Sequence, residues 1–320
     1  MATCFARFIR FLVVALMLLG FELPASAAPN LERELAQMFV GHSLTLRNFY
    51  QGRDLRYGSD GRLLGKSEPG YWSRDGMVEI FSVKLLKNNE LIMQGKRSCV
   101  LFDPAKGELA DVWTGDRVQI TVELKPEQLT LQAVIPILQR VLLTSQDRLE
   151  DLVPQYWTNC LQRKVNRPDK HSPWECVALD KRQVPDFAGK KIVWDTQPPD
   201  TAPPLHNGMQ LYALNYRVGY LAEKGMTVPQ LLAGPVPIFQ WQQRRTKFVA
   251  VTLVLSFTVG EDGKPRDIFI VSPAGMGVDD EAAEAVTKWK FSPATCQGQP
   301  CAVHARVFFE FSDPTSPFLR

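Results

Sequence analysis

The residue types best able to do chemistry in this chain are its histidines and cysteines, and the histidines lie far apart. They are His42, His171, His206 and His304. No Gly-x-Ser-x-Gly turn or His-Glu-x-x-His zinc motif accompanies them, and the sequence has no phosphate-binding loop. We therefore predict no enzyme, with no catalytic residue, no metal site and no cofactor.

The first 28 residues have the pattern of a signal peptide. Two arginines precede an apolar run over residues 11–21, and Ala25-Ser26-Ala27 supplies the small residues that a signal peptidase requires. The run of about 11 residues is shorter than the roughly 20 that cross a bilayer. We predict cleavage after Ala27 and export to the periplasm, with an uncleaved inner-membrane anchor as the alternative.

Export would place the remaining cysteines in an oxidising compartment, where cysteines usually pair. Their number after the predicted cleavage site is odd, so at least one stays free or pairs between chains. Cys160 and Cys176 flank a proline-containing loop, and Cys296 and Cys301 flank a short turn, so these are the two predicted disulfides. Cys99 lies in an apolar strand pattern and is predicted to be a buried thiol. The spacings match no common zinc ligand set.

Length and charge limit the classes of protein further. A chain of 320 residues suggests two domains. Its 37 basic and 34 acidic residues are well mixed, so no basic stripe suggests a nucleic-acid partner.

Residues 28–155 are predicted to form a β-rich antiparallel domain with a packed helix. Asp-Gly turns at residues 59–61 and 74–76 separate the strands, because glycine accepts the positive φ of such turns. Apolar residues recur at helical spacing over 129–143, where Pro136 should kink the helix. A short helix is predicted over 31–39, and strands are predicted over 44–50, 77–86, 90–102 and 117–124.

Residues 156–235 are predicted to be an irregular connecting region. A proline-rich segment at 197–205 has the composition of a stiff linker. Residues 215–232 are compatible with a helix, although Gly219, Gly225 and Pro229 interrupt it.

Residues 236–312 have the sharpest pattern in the chain. Alternate apolar residues from Val251 to Val259 predict a strand, which a turn at 261–263 joins to a returning strand over 268–272. Asp279 or Asp280 is predicted to cap a following helix that Pro293 stops. Alternation over 303–311 predicts a last strand before a tail at 313–320. The predicted order is strand, strand, helix, strand.

Three short motifs lie in a fixed order within this region. They are Asp262-Gly263-Lys264-Pro265, Trp289-Lys290-Phe291-Ser292-Pro293-Ala294 and Gly298-Gln299-Pro300. Together with the order of elements, they resemble the C-terminal domain of the TonB family. The predicted structural core of this domain comprises Phe257, Trp289, Phe291 and Pro293.

The resemblance implies protein binding. TonB-family domains bind a short motif of outer-membrane receptors, which adds as a strand to an exposed sheet edge. By this resemblance the last strand is the candidate edge, with Val303, Ala305, Val307 and Phe309 as partner-binding residues. The alternative is that this edge is covered by the protein's own chain or by a second copy in a homodimer.

The chain departs from the family pattern at three points. Pro237-Ile238-Phe239, with Trp241, stands where the family has a Pro-x-Tyr-Pro element that helps to hold the receptor. The N-terminal apolar run contains no histidine, and the proline-rich spacer is short. Classical energy transduction is therefore not predicted.

The sequence thus predicts an α+β protein with a β-rich N-terminal domain and a small TonB-like β-β-α-β domain. The predicted function is non-catalytic binding of a partner protein by strand addition at the C-terminal domain, as part of transport in the cell envelope. An outer-membrane receptor is the suggested partner. The alternative is a ligand-binding or structural envelope protein that uses the TonB-like module for dimerisation or scaffolding.

Overall fold

The computed structural model describes residues 27–165, 167, 175–176, 187, 190–195, 213–237 and 251–312. The predicted signal peptide except Ala27, the proline-rich linker, most of the element at 237–241 and the tail at 313–320 lie outside these residues. The described residues form two large sheets with packed helices, so the chain has the predicted α+β class.

The first large sheet has six strands and lies in the N-terminal half. The elements of this half are α1 (Ala27–Phe39), β1 (Ser43–Thr45), β2 (Asp54–Tyr57), β3 (Leu63–Leu64), α2 (Trp72–Asp75), β4 (Met77–Leu85), β5 (Glu90–Asp103), β6 (Glu108–Glu123), α3 (Leu131–Val141) and α4 (Gln155–Leu161). The strand order is β1-β4-β5-β6-β2-β3. Adjacent strands are antiparallel except β2 and β6, which are parallel. The connection between them contains β4 and β5 and is long enough for the crossover that parallel strands need. The sheet is therefore antiparallel, as predicted, at every other pair.

Two helices pack against this sheet, as the apolar periodicity predicts. Leu31 and Leu35 of α1 and Val134 and Leu138 of α3 are buried in the same core as the strands. Each such side chain contributes about 1.5–3 kcal/mol by leaving water. The Thr130 side chain accepts a hydrogen bond from the first turn of α3, which satisfies a backbone donor that the helix itself leaves unpaired.

The second large sheet lies in the C-terminal half. The elements of this half are β7 (Ile192–Asp195), β8 (Ala213–Leu221), β9 (Met226–Thr227), β10 (Gln230–Ala233), β11 (Val251–Val259), β12 (Pro265–Ser272), α5 (Val278–Thr287), β13 (Lys290–Ser292), β14 (Ala294–Cys296), β15 (Gln299–Cys301) and β16 (Val303–Ser312). The strand order is β12-β11-β16-β8-β7, and every pair is antiparallel. The predicted β-β-α-β order corresponds to β11, β12, α5 and β16.

Strands β7 and β8 come from the region predicted to be irregular. β8 is a strand, although its sequence is also compatible with a helix. Its side chains follow the two-residue period of a strand: Val218 and Tyr220 are buried in the core of the C-terminal half, and Arg217 and Gly219 alternate with them. The TonB-like sheet is therefore larger than the predicted β-β-α-β unit by two strands.

Helix α5 begins and ends differently from the prediction. Gly277, in the left-handed conformation with φ of 79°, occupies the N-cap, whereas Asp279 lies inside the first turn. The Asp279 carboxylate instead accepts hydrogen bonds from the backbone of Ala274 and Gly275, just before the helix. The helix ends at Thr287, well before Pro293, so the prediction that Pro293 stops it is also wrong.

The two halves meet through backbone hydrogen bonds. The end of β5 bonds to the loop before α5: Phe102 N–H donates to Ala274 O at 3.1 Å, and Met276 N–H donates to Val100 O at 3.2 Å. Gly275 has a φ of 95°, and a Cβ at this position would collide with the Val100 carbonyl oxygen. Only glycine permits so close an approach.

Candidate partner-binding site

The predicted partner edge, β16, lies inside the sheet. Along its length, β16 pairs with β11 on one side and with β8 on the other. The side chains that the sequence assigned to partner binding point into the core and are buried; they are Val303, Ala305, Val307 and Phe309. The prediction that β16 is an open edge is therefore wrong, and the chain itself covers the edge.

β8 is firmly held in the position next to β16. Val218 lies opposite Val307 and Tyr220 opposite Ala305, and both β8 side chains are 1% exposed. The Tyr220 ring also contacts Phe291 edge to face, with centroids 6.4 Å apart. Separating β8 from the sheet would expose both side chains to water at a cost of about 1.5–3 kcal/mol each, and it would break the hydrogen bonds between β8 and β16. β8 is thus a structural strand of the domain.

The elements of this domain follow each other along the chain in the order β11, β12, α5 and β16. Apolar side chains of α5 and β16 lie in the same hydrophobic core. Residues 249–312 match the model of the family described as Gram-negative bacterial TonB protein C-terminal. The match confirms the resemblance that the three motifs indicated. β7 and β8 lie outside the matched residues. No curated protein and no solved structure matches the chain.

Among the described residues, β7 is the outermost strand on the β16 side of this TonB-like sheet. In the described part of the chain, β7 pairs with β8 alone. Ala222 N–H donates to Lys191 O at 3.2 Å, and hydrogen-bonded and non-hydrogen-bonded pairs alternate along an antiparallel ladder. Val193 and Asp195 therefore bond to β8, while the backbone N–H and C=O groups of Ile192 and Trp194 face away from it. We call these outward groups the β7 edge.

The side chain of Trp194 forms an exposed aromatic stack beside the β7 edge. Trp194 is 36% exposed, and its ring lies over Gly219, where a Cβ would approach the ring to 2.8 Å. The Arg217 guanidinium carbon lies 4.7 Å from the Trp194 ring centroid and 5.1 Å from that of Phe308, and the two ring centroids are 5.5 Å apart. This geometry allows cation–π attraction of the arginine to both rings. The edge thus carries an aromatic and cationic surface.

The opposite edge of the sheet, β12, is less suited to accept a strand. Its pairing with β11 has two register shifts, and Asp267 has a φ of 51°, outside the extended region. Such bulges twist an edge away from a regular ladder and are a common protection against edge-to-edge pairing. Arg266 and Asp262 add an ion pair at 3.1 Å near its start.

The residues predicted to be structural lie mainly in the core of the TonB-like domain. Phe257, Trp289 and Phe291 are buried, and Pro293 is half-buried between β13 and β14. The indole of Trp289 donates to Pro235 O at 2.9 Å, which satisfies its only polar group.

Both predicted cysteine pairs lie at disulfide distance. The Cα atoms of Cys160 and Cys176 are 5.1 Å apart, and those of Cys296 and Cys301 are 5.7 Å apart. The second pair closes the β14–β15 hairpin. Cys99 is free and fully buried, and burial raises the pKa of its thiol, so it is a poor nucleophile.

The described histidines do not form a catalytic or metal-binding group. His42 is exposed, and Nδ1 of the exposed His304 lies 3.0 Å from the Thr258 hydroxyl; His171 and His206 lie outside the described residues. Within the described ranges, no three His, Cys, Asp or Glu side chains are close enough to hold a metal ion. No helix of the described part of the chain has the length and apolar character needed to cross a membrane.

No motif or period in the sequence indicated the β7 edge. Four residues are too few to show a period, and in the described part of the chain β8 alone joins this strand to the sheet. The one local signal is the β-branched and aromatic run Ile192-Val193-Trp194, which is typical of a strand.

Proposed function

We propose that this protein is a non-catalytic component of the cell envelope that binds an extended segment of a partner protein at the β7 edge. The observation that carries the proposal is the outermost strand on the β16 side of a TonB-like sheet, which pairs on one side only within the described part of the chain. TonB-family domains are protein-interaction modules. In this chain β8 occupies the position next to β16, so the position for a partner strand is two strands farther out.

Strand addition at β7 combines backbone and side-chain recognition. A partner strand would accept hydrogen bonds from the outward N–H groups of Ile192 and Trp194 and donate to their C=O groups, each bond contributing about 0.5–1.5 kcal/mol. The Trp194–Arg217–Phe308 stack would favour an aromatic or acidic side chain on the partner. The backbone bonds supply affinity, and the stack supplies selectivity.

The proposed location is the periplasm. The match to a family of Gram-negative envelope proteins supports the cell envelope, and the leader pattern of the first 28 residues supports export with cleavage after Ala27. An outer-membrane receptor is the proposed partner, because receptors of this class are what the family resemblance implies.

A second candidate function is scaffolding. The hydrogen bonds between β5 and the loop before α5 join the TonB-like domain to the N-terminal half, as expected for a domain used as a structural unit. In this reading, two copies would pair through β7 and form a homodimer.

A capture experiment with matched variants tests the proposal. The chain from Ala28, with a C-terminal tag, is incubated with envelope extract, and bound proteins are identified by mass spectrometry. Ile192→Pro deletes an outward backbone donor without removing a bond to β8, whereas Ile192→Ala shortens the same side chain and keeps the donor.

We expect outer-membrane receptors to be recovered by the unaltered chain and by Ile192→Ala, and to be lost with Ile192→Pro. Equal recovery by both variants would show that β7 is not the binding edge. Light scattering on the purified chain tests the second candidate, because it shows whether the chain is a dimer. If the chain is a dimer that Ile192→Pro dissociates, and no receptor is recovered, the function of β7 is self-association and not partner binding.

A further inference from the structure

The segment along the β7 edge is complementary to its own reverse. Residues 191–195 read Lys-Ile-Val-Trp-Asp, so a positive charge begins the segment, a negative charge ends it and a valine lies at its centre. Lys191 precedes β7 but belongs to the same ladder, because its carbonyl oxygen accepts from Ala222 N–H at 3.2 Å. Lys191 is exposed and forms no ion pair among the described residues, and Asp195 is half-buried.

Alternate residues of this segment point in opposite directions. Lys191, Val193 and Asp195 bond to β8, and the outward backbone groups belong to Ile192 and Trp194. Side chains alternate in the same way, so the two charged side chains share one face of the sheet with Val193, and Ile192 and Trp194 share the other. A strand that pairs with this edge must match both the outward groups and the two faces.

Antiparallel pairing of two copies about a two-fold axis at Val193 meets both conditions. Ile192 of each copy lies opposite Trp194 of the other, and the two residues exchange both of their outward hydrogen bonds. Lys191 of each copy lies opposite Asp195 of the other, on the same face. Cross-strand pairs of opposite charge are favourable, and so are pairs of an aromatic with a β-branched residue. An axis at Ile192 or Trp194 would leave one outward residue of each copy unpaired and would separate the charges.

The β7 edge also lacks the protection of the opposite edge of the sheet. β12 pairs with β11 through two register shifts, and its Asp267 has a φ of 51°, whereas β7 pairs with β8 without a shift. Lysines on an edge strand commonly prevent pairing between copies, because like charges then meet. In the register centred on Val193, however, Lys191 meets Asp195, so the charges favour pairing.

We propose that two copies of this chain pair antiparallel through β7 in this register, and that the pairing covers the edge until a partner strand displaces the second copy. The inference rests on the proposed function, because both occupants use the same outward groups. Pairing joins two five-stranded sheets into one continuous sheet. The contact is small beside ordinary stable interfaces, so we expect a dissociation constant of about 100 μM. At a few micromolar the chain is then mainly monomeric, and its edge is accessible.

Sedimentation velocity on the chain from Ala28 tests self-pairing over a range of about 5 to 500 μM, which brackets the expected dissociation constant. We expect a dimer that grows with concentration and that Ile192→Pro removes, because proline deletes an outward donor. Hydrogen exchange of the same samples should slow severalfold at Ile192 and Trp194 at the higher concentration, with Val193 unchanged.

A charge exchange tests the register. Lys191→Asp and Asp195→Lys each place like charges opposite each other, so each variant alone should dimerise at least about tenfold more weakly. An equimolar mixture of the two should form a heterodimer, because the two introduced charges face each other and so do the two native ones. The double variant in one chain should recover the homodimer. Lys66→Asp makes the same charge change in the N-terminal half and should have no effect, and thermal unfolding verifies that each variant folds.

A chain that stays monomeric at about 500 μM would overturn self-pairing, whereas receptor capture that depends on Ile192 would still support the proposed function. Self-pairing through β7 would also be overturned if both single variants dimerise as tightly as the unaltered chain, or if their mixture forms no heterodimer. A charge-dependent dimer with no receptor recovered in the capture experiment would reject the proposed partner and support self-pairing.

Discussion

β8 and β7 are the two strands by which this chain extends its TonB-like sheet, and they differ in what lies on each side. β8 pairs with β16 and β7, and its Val218 and Tyr220 side chains lie in the core. β7 pairs with β8 alone in the described part of the chain, and it carries the exposed Trp194. The strand at the expected partner position is therefore structural, and the proposed position for a partner strand is the β7 edge.

The largest effect should come from the core side of β8. Tyr220→Ala leaves a cavity beside Phe291 and should lower the free energy of unfolding by about 3 kcal/mol. Tyr220→Phe is the control, because the Tyr220 hydroxyl is buried without a hydrogen-bond partner among the described residues. Its removal should be neutral or stabilising. Denaturant unfolding measures both; a small effect of Tyr220→Ala would mean that β8 is weakly held and displaceable.

The contact between the two strands should give the next largest effect. A Cβ at Gly219 would lie 2.7 Å from Ile192 Cγ2 and 2.8 Å from Trp194 Cζ3. Gly219→Ala should therefore cost about 1–3 kcal/mol and abolish partner binding by displacing β7. In a background with Ile192→Ala and Trp194→Ala, the same change should cost much less. An equal cost in both backgrounds would contradict the packing of β7 on Gly219.

The exposed side of β7 should affect binding more than stability. Trp194→Ala should lower partner affinity about tenfold, since aromatic side chains often dominate interfaces, and should change the melting temperature little. Trp194→Phe keeps an aromatic face and should retain most of the affinity. Affinity is measured by biolayer interferometry with the receptor recovered in the capture experiment. Full affinity of Trp194→Ala would remove the aromatic stack from the proposed site.

The smallest effect is expected at the other edge. Arg266→Ala breaks an exposed ion pair with Asp262 near the start of β12 and should change neither stability nor partner affinity measurably. A loss of affinity as large as that of Trp194→Ala would place the partner on β12 instead of β7.

Sequence periodicity predicted which residues face a core more reliably than which strands pair. The alternation over 251–259 and 303–311 gives β11 and β16, and the helical spacing over 129–143 gives α3. Pairing is a long-range property: Val307 lies opposite Val218, and nothing local to either residue specifies the other. For this reason the family resemblance alone assigned β16 as the edge, although β8 covers it.

Local chemistry also limited the prediction of the helix and of the site. Asp279 has the residue type of an N-cap, but Gly277 takes that position with a φ of 79°, where a Cβ would collide with the Tyr71 ring. The β7 edge gave only a three-residue β-prone signal. The division of the chain at residues 155 and 235 stays a prediction, although β7 and β8 of the connecting region are strands of the C-terminal sheet.

Residue-resolved hydrogen exchange, with and without the partner, tests most directly whether the partner strand adds to β7. In the free protein, the amides of Ile192 and Trp194 should exchange quickly, and those of Val193 and Val307 slowly. Binding should slow Ile192 and Trp194 while leaving β8 protected. Faster exchange along β8 on binding, with Ile192 and Trp194 unchanged, would instead show that the partner displaces β8 and occupies the edge of β16.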